Sequence, residues 1–112
     1  MLFHIAHSSD WSNAKTAGSY TVGSLETEGF VHLSTRDQFM ATAGRYYTGV
    51  ADLCLLEIDE AILDAEVLRF EASTNAELFP HYYAPVPLEA VVRVHTFPCR
   101  SDGGFDLPST ID

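Results

Sequence analysis

The stretch Glu28-Gly29-Phe30-Val31-His32-Leu33-Ser34-Thr35 decides how the rest of the chain is read, because it runs as a strand straight into a helix start. Two-residue alternation puts Phe30, His32 and Ser34 on one face and Val31 and Leu33 on the other. The next residues, Arg36 to Ala43, are helical in pattern, and Thr35 with Gln38 makes a Thr-x-x-Gln capping box. His32 and Ser34 therefore belong beside a helix N-terminus, where unpaired amide donors and the positive dipole end gather. An imidazole and a hydroxyl in that place suit a phosphate or the hydroxyls of a sugar.

Outward from that stretch, Leu2 to Ala6 reads as a first strand with Leu2, His4 and Ala6 on one face. A short helix from about Ser9 to Ala17 follows, which Gly18 terminates. Tyr20 to Leu25 is an irregular or weakly extended link. The helix after Thr35 runs to about Tyr47 with an apolar stripe of Phe39, Ala43 and Tyr46 or Tyr47. Asp52 to Ile58 holds the apolar run Leu53-Cys54-Leu55-Leu56, which suits a central strand covered on both faces. Further strands are expected at Glu66 to Glu71 and at Val91 to Phe97, where Arg93 and His95 alternate with Val92 and Val94 and one face should be wet. Between them, Ser73 to Pro87 carries three prolines and three aromatics, the composition of a structured loop that folds back as a wall or lid. Residues after Cys99 read as a loosely held tail. The expected architecture is α+β, one domain over residues 1–105 with a tail at 106–112.

Sixteen acidic residues against six basic ones give a formal net charge of -10, which repels long phosphodiester backbones. Nonspecific nucleic-acid binding is therefore not expected. A small anionic ligand remains compatible, since surface charge is screened beyond about 8 Å at physiological salt. The start of the chain, Met1-Leu2-Phe3-His4-Ile5-Ala6-His7, has no basic segment or sustained apolar run, and nothing reaches membrane-spanning length. Cys54 and Cys99 lack metal spacing and read as free thiols of a reducing compartment, so a cytoplasmic protein with no membrane partner is expected.

His4 and His32 lie on separate strands, each among small or polar neighbours, and their rings converge if those strands meet in the sheet. Packing as satisfied structural histidines is the competing reading. Ser34 and Thr35 serve equally as helix caps. Glu77 is placed to orient a nucleophile or hold a ribose hydroxyl, yet Thr74-Asn75-Ala76-Glu77 is also a capping box. His81, between Pro80 and Tyr82, fits a site role; Tyr83 would stack on a flat ring or merely pack; Glu28 is a ligand contact or a turn residue. No metal is expected, because His4 and His7 point to opposite strand faces and no His-Glu-x-x-His or paired-cysteine motif exists. His32-Leu33-Ser34 matches the His-x-Ser/Thr element of two-histidine phosphoesterases, but neither His81 nor His95 supplies the required second copy.

The segments Phe3-His4-Ile5-Ala6, Trp11, Glu28 to Ser34, Leu55-Leu56-Glu57-Ile58 and Glu77 to Tyr83 together resemble a small bacterial family, domain-of-unknown-function family 952, in order and up to about Phe105. That resemblance implies remote similarity to the ADP-ribosyltransferase fold, a split, bent, mostly antiparallel sheet with an NAD cleft between its halves. By the same resemblance, His4 matches a first-strand histidine that holds the NAD ribose. Val31-His32-Leu33-Ser34 is similar to the second motif of the tRNA 2′-phosphotransferase branch, and Glu77 matches the late acidic residue. That branch has His-Gly-Thr where this chain has His4-Ile5-Ala6, and its further arginines and RNA-binding domain have no counterpart here. The expectation is a cleft that binds NAD or an ADP-ribose-like nucleotide. His4, His32 and Glu77 would be catalytic in transfer or hydrolysis at the ribose C1, and Ser34, Thr35, His81, Tyr83 and Glu28 would bind the ligand. The acceptor is left open. A noncatalytic module that keeps the cleft for a small ligand or a protein is the alternative.

Overall fold

The computed structural model describes residues 1–72 and 76–111. It is an α+β structure with nine strands and three short α-helices among those residues. The strands are β1 (Leu2–His7), β2 (Ser19–Tyr20), β3 (Val31–His32), β4 (Ser34–Thr35), β5 (Leu53–Ile58), β6 (Leu68–Ala72), β7 (Leu78–Tyr82), β8 (Val86–Pro87) and β9 (Val91–Thr96). The helices are α1 (Ser8–Ala17), α2 (Gly23–Thr27) and α3 (Phe39–Tyr46). Every pairing is antiparallel: a four-stranded sheet β4-β1-β5-β9, a three-stranded sheet β3-β7-β6 and the pair β2-β8.

β5 is buried along its whole length, as its apolar run requires of a strand covered on both faces. On one side Leu2, Ala6, Cys54, Leu56 and Ile58 pack with Val31 and Tyr82 of the three-stranded sheet, with Leu33 between β3 and β4, and with Tyr20 and Val86 of the pair β2-β8. On the other side Phe3, Ile5, Leu53, Leu55 and Phe97 pack with Phe39 and Ala43 of α3. Tyr47 joins that second core whereas Tyr46 is exposed, which resolves the α3 stripe. Gly18 ends α1 in the left-handed region at φ 93°, donating its N–H to the Ala14 carbonyl.

Four expectations are corrected. Tyr20 to Leu25 is not an irregular link: Ser19–Tyr20 pairs with β8, and Gly23–Thr27 is helical. The proline-aromatic segment is not a lid, since Leu78–Tyr82 forms β7, the middle strand of its sheet. On β9 it is His95 that is buried, while Val92 and Val94 are exposed, because the His95 ring finds polar partners inside and β9 is an edge strand. The segment after Cys99 is tied down: Phe105 stacks on Phe97 with centroids 4.8 Å apart, and Thr110 meets the His95 ring.

The fifth difference sets up the site. The expected strand Phe30–Ser34 is broken at Leu33 into β3 and β4, which belong to different sheets. Pro80 accounts for the break. Its carbonyl accepts the Leu33 N–H at 3.0 Å, so its ring nitrogen faces β3 at the position where a donor to Leu33 would stand. The ladder loses its reciprocal bond there, pairing with β7 stops at His32, and the chain crosses to pair Ser34 and Thr35 with β1.

Candidate functional site

The outer face of the three-stranded sheet gathers the polar chemistry of the molecule. His32 on β3 lies opposite His81 on β7, and His81 lies opposite Arg69 on β6, so three nitrogen-bearing side chains form one row across three strands. Alternation from the bonded Leu33–Pro80 position makes His32–His81 a pair without mutual backbone hydrogen bonds, the arrangement that brings facing side chains closest. Their rings stand edge to face, centroids 5.4 Å apart. Phe30 stacks on His81 at 4.0 Å, meets His32 edge to face and lies tilted against Tyr83.

Each imidazole has its own carboxylate. Nε2 of His32 donates to Glu28 Oε2 at 2.5 Å, and Nδ1 of His81 donates to Glu71 Oε1 at 2.9 Å. These carboxylates assign the tautomers, leaving Nδ1 of His32 and Nε2 of His81 as the open ring nitrogens. Glu28 reaches back to His32 across Gly29, whose left-handed φ of 90° makes the turn that the spacing needs. The Tyr83 hydroxyl donates to the same Glu71 oxygen, and this bond followed by that of His81 holds the Glu71 carboxyl below its ordinary pKa while raising that of the Tyr83 phenol. The Arg69 guanidinium lies 5.6 Å from the centre of the Tyr83 ring.

Of the residues expected at the site, this face brings together His32, His81, Tyr83 and Glu28. His4 does not share a hollow with the His32 ring. It is buried between the sheets, its Nδ1–H given to the His32 backbone carbonyl at 2.6 Å and its Nε2 accepting from the Tyr20 hydroxyl at 2.8 Å. Burial pulls its pKa down to about 4, against the smaller raising effect of the His32 carbonyl, so the ring is neutral. Ser34 is buried on β4 opposite Phe3, having left this face when the chain changed sheets. The Thr35 N–H donates to Gln38 Oε1, which is one half of the expected capping box, and α3 starts three residues later than the sequence pattern suggests. Glu77 accepts from Gln38 Nε2 at 3.0 Å. It stands four residues before His81, roughly 13 Å along an extended strand. The capping box proposed for Thr74–Glu77 has its first two residues outside the described residues.

Arg69, Glu71 and Phe30 join the site without having been singled out. The signal for the first two is period two, since Arg69 and Glu71 alternate with Leu68 and Phe70 on β6; only the register of β6 against β7 shows which site they serve. No group of three or more His, Cys, Asp or Glu side chains among the described residues is disposed to hold a metal ion, and no described helix is long and apolar enough to cross a membrane.

The family model described as "Protein of unknown function (DUF952)" matches residues 5–94. The chain belongs to the DUF952 family. Its fold matches the crystal structure of protein CC0527 from Caulobacter crescentus with a TM-score of 0.87 at 32% identity, over 95% of this chain and 93% of that one. The solution NMR structure of CC0527 matches with a TM-score of 0.78 at 33% identity, over 91% of this chain and 88% of that one. No curated protein matches. The DUF952 match spans the whole outer-face site, from Glu28 to Tyr83, together with the buried His4-Tyr20 couple short of its first residue.

Proposed function

We propose that this DUF952 chain binds a nucleotide-like small ligand, NAD or an ADP-ribose-like molecule, on the outer face of β3-β7-β6. The observation that carries the reading is the His32–His81–Arg69 row, a concentration of nitrogen donors in a chain with net charge -10. Phosphate oxygens would lie along the row, where Arg69 supplies a permanent cation and a planar fork of N–H donors. Glu28 and Glu71 would accept from ribose hydroxyls, and Phe30 and Tyr83 offer aromatic surface to a flat ring. The separated antiparallel sheets agree with an ADP-ribosyltransferase-like reading of the fold, and a cytoplasmic location suits such a ligand.

Transfer or hydrolysis at the ribose C1 asks for a carboxylate free to steady an oxocarbenium-like ribose. Here Glu28 and Glu71 are engaged by histidines and Glu77 by Gln38, an arrangement that favours a second reading, ligand binding without C1 chemistry. Calorimetric titration with NAD and ADP-ribose, beside a nicotinamide-release assay, tests both. Binding with release supports C1 chemistry, binding without release supports the module, and no binding sinks the nucleotide reading. Arg69→Ala is expected to weaken binding about tenfold at unchanged melting temperature, as loss of one charge-assisted phosphate contact would do.

A further inference from the structure

Two imidazoles side by side, each with one nitrogen held by a carboxylate and the other open, are suited to passing protons rather than to steadying a carbocation. We propose that His32 and His81 are a general base and general acid that hydrolyse a nucleoside 2′,3′-cyclic phosphate bound over the row. The proposal rests on the nucleotide-binding reading above and adds its reaction and substrate class. The histidines meet the geometric requirement: their rings are 5.4 Å apart on facing positions of neighbouring strands, and the edge-to-face orientation aims them differently over one small area. Arg69 continues the row on the far side of His81, where it would hold the non-bridging phosphate oxygens. One permanent cation matches the single negative charge of a cyclic phosphodiester. The chain's net charge of -10 argues against a polymeric substrate, so a mononucleotide fits better than RNA.

The proton inventory closes on these residues. His32 is more than half exposed, with Nε2–H on Glu28, and its Nδ1 takes a proton from water as the water oxygen bonds to phosphorus. The bond from phosphorus to one ribose oxygen breaks with its electron pair left on that oxygen. Nε2–H of the His81 imidazolium protonates it, while the His81 Nδ1–H stays donated to Glu71. The product is a nucleoside monophosphate, and exchange with solvent takes the extra proton from His32 and returns one to His81. The charged or titratable groups around the pair are Glu28 in the turn before β3, Arg69 and Glu71 on β6, Tyr83 after β7 and the neutral His4 on β1. Phe30, stacked on His81, fixes that ring and keeps one of its faces dry.

Hydrolysis of adenosine 2′,3′-cyclic phosphate by the whole protein, followed across pH by chromatographic separation of the monophosphate, is the test. The expected kcat/KM profile is bell-shaped, and His32→Ala and His81→Ala each lose about 100-fold or more in kcat. Because His81 is nearly buried, His81→Gln is measured beside it, and circular dichroism melts establish that each variant is folded. Arg69→Ala is expected to raise KM about tenfold with kcat little changed, as loss of a phosphate contact made equally in the ground and transition states would do. If the folded wild-type protein binds adenosine nucleotides but releases no monophosphate, the acid-base assignment falls and the binding reading stands. If it binds no nucleotide, both fall. Full activity in folded His32→Ala also overturns the assignment.

Discussion

Burial takes the His4 imidazole down to a pKa of about 4 from an ordinary 6.5, and this has a consequence for stability. The unfolded chain binds the proton at higher pH than the folded one, so stability is full above about pH 6.5 and falls as pH drops toward 4. The shift corresponds to about 3 kcal/mol at pH values below both limits. Thermal melts from neutral pH to pH 4 should show this decline, and His4→Gln, which keeps a donor and an acceptor, should flatten part of it; an unchanged slope would assign the acid sensitivity elsewhere. Tyr20→Phe removes the donor that His4 Nε2 accepts and leaves that nitrogen buried without a partner, so a loss of about 1–3 kcal/mol in denaturant unfolding is expected. Alternation did reveal that His4 shares its strand face with Leu2 and Ala6. Whether that face opens to solvent or to a second sheet depends on the His32 carbonyl, 28 residues away, and no local pattern carries that information.

At the scale of elements, Gln38 joins the start of α3 to the start of β7. Its Oε1 accepts the Thr35 N–H, while its Nε2 donates to the Leu78 carbonyl at 2.7 Å and to Glu77. Gln38→Ala removes the bond from the Thr35 N–H and the tie to β7 together, for an expected cost of about 1–2 kcal/mol in urea unfolding, whereas Gln38→Glu keeps an acceptor for Thr35 and should recover part of it. The Thr35–Gln38 box was legible as a helix signal, and β5 as a central strand. β7 was not, because prolines and aromatics in sequence read as a loop. Pro80 is tolerated in a middle strand because its missing donor falls where β3 ends, a coincidence of register between segments 47 residues apart. The split of β3 from β4 follows from the same atom. It explains why His32 and Ser34, which alternation places on one face, finish in different sheets.

Across the whole molecule, the closing segment is fastened to the four-stranded sheet, not to the sheet that carries the outer-face site. His95 is 2% exposed, gives Nε2–H to Glu57 at 2.8 Å across β5-β9, and accepts from the Thr110 hydroxyl at 2.6 Å. Arg100 reinforces the loop by donating to Asp102, Asp106 and the Phe105 carbonyl. The glycines, serines and proline of this segment describe the loop itself; the stacking of Phe105 on Phe97 and the reach of Thr110 to His95 exist only once the sheet is built. These contacts rank two substitutions. Glu57→Ala leaves the buried His95 Nε2 without its acceptor and should cost about 2–3 kcal/mol, while Thr110→Val removes one hydroxyl at the surface end of the same ring and should cost about 1 kcal/mol. Denaturant unfolding of both variants and of the double variant measures the order and the coupling, since the two bonds share one imidazole. If Thr110→Val proved the more damaging, attachment of the closing segment, rather than pairing inside the sheet, would be the main work of His95.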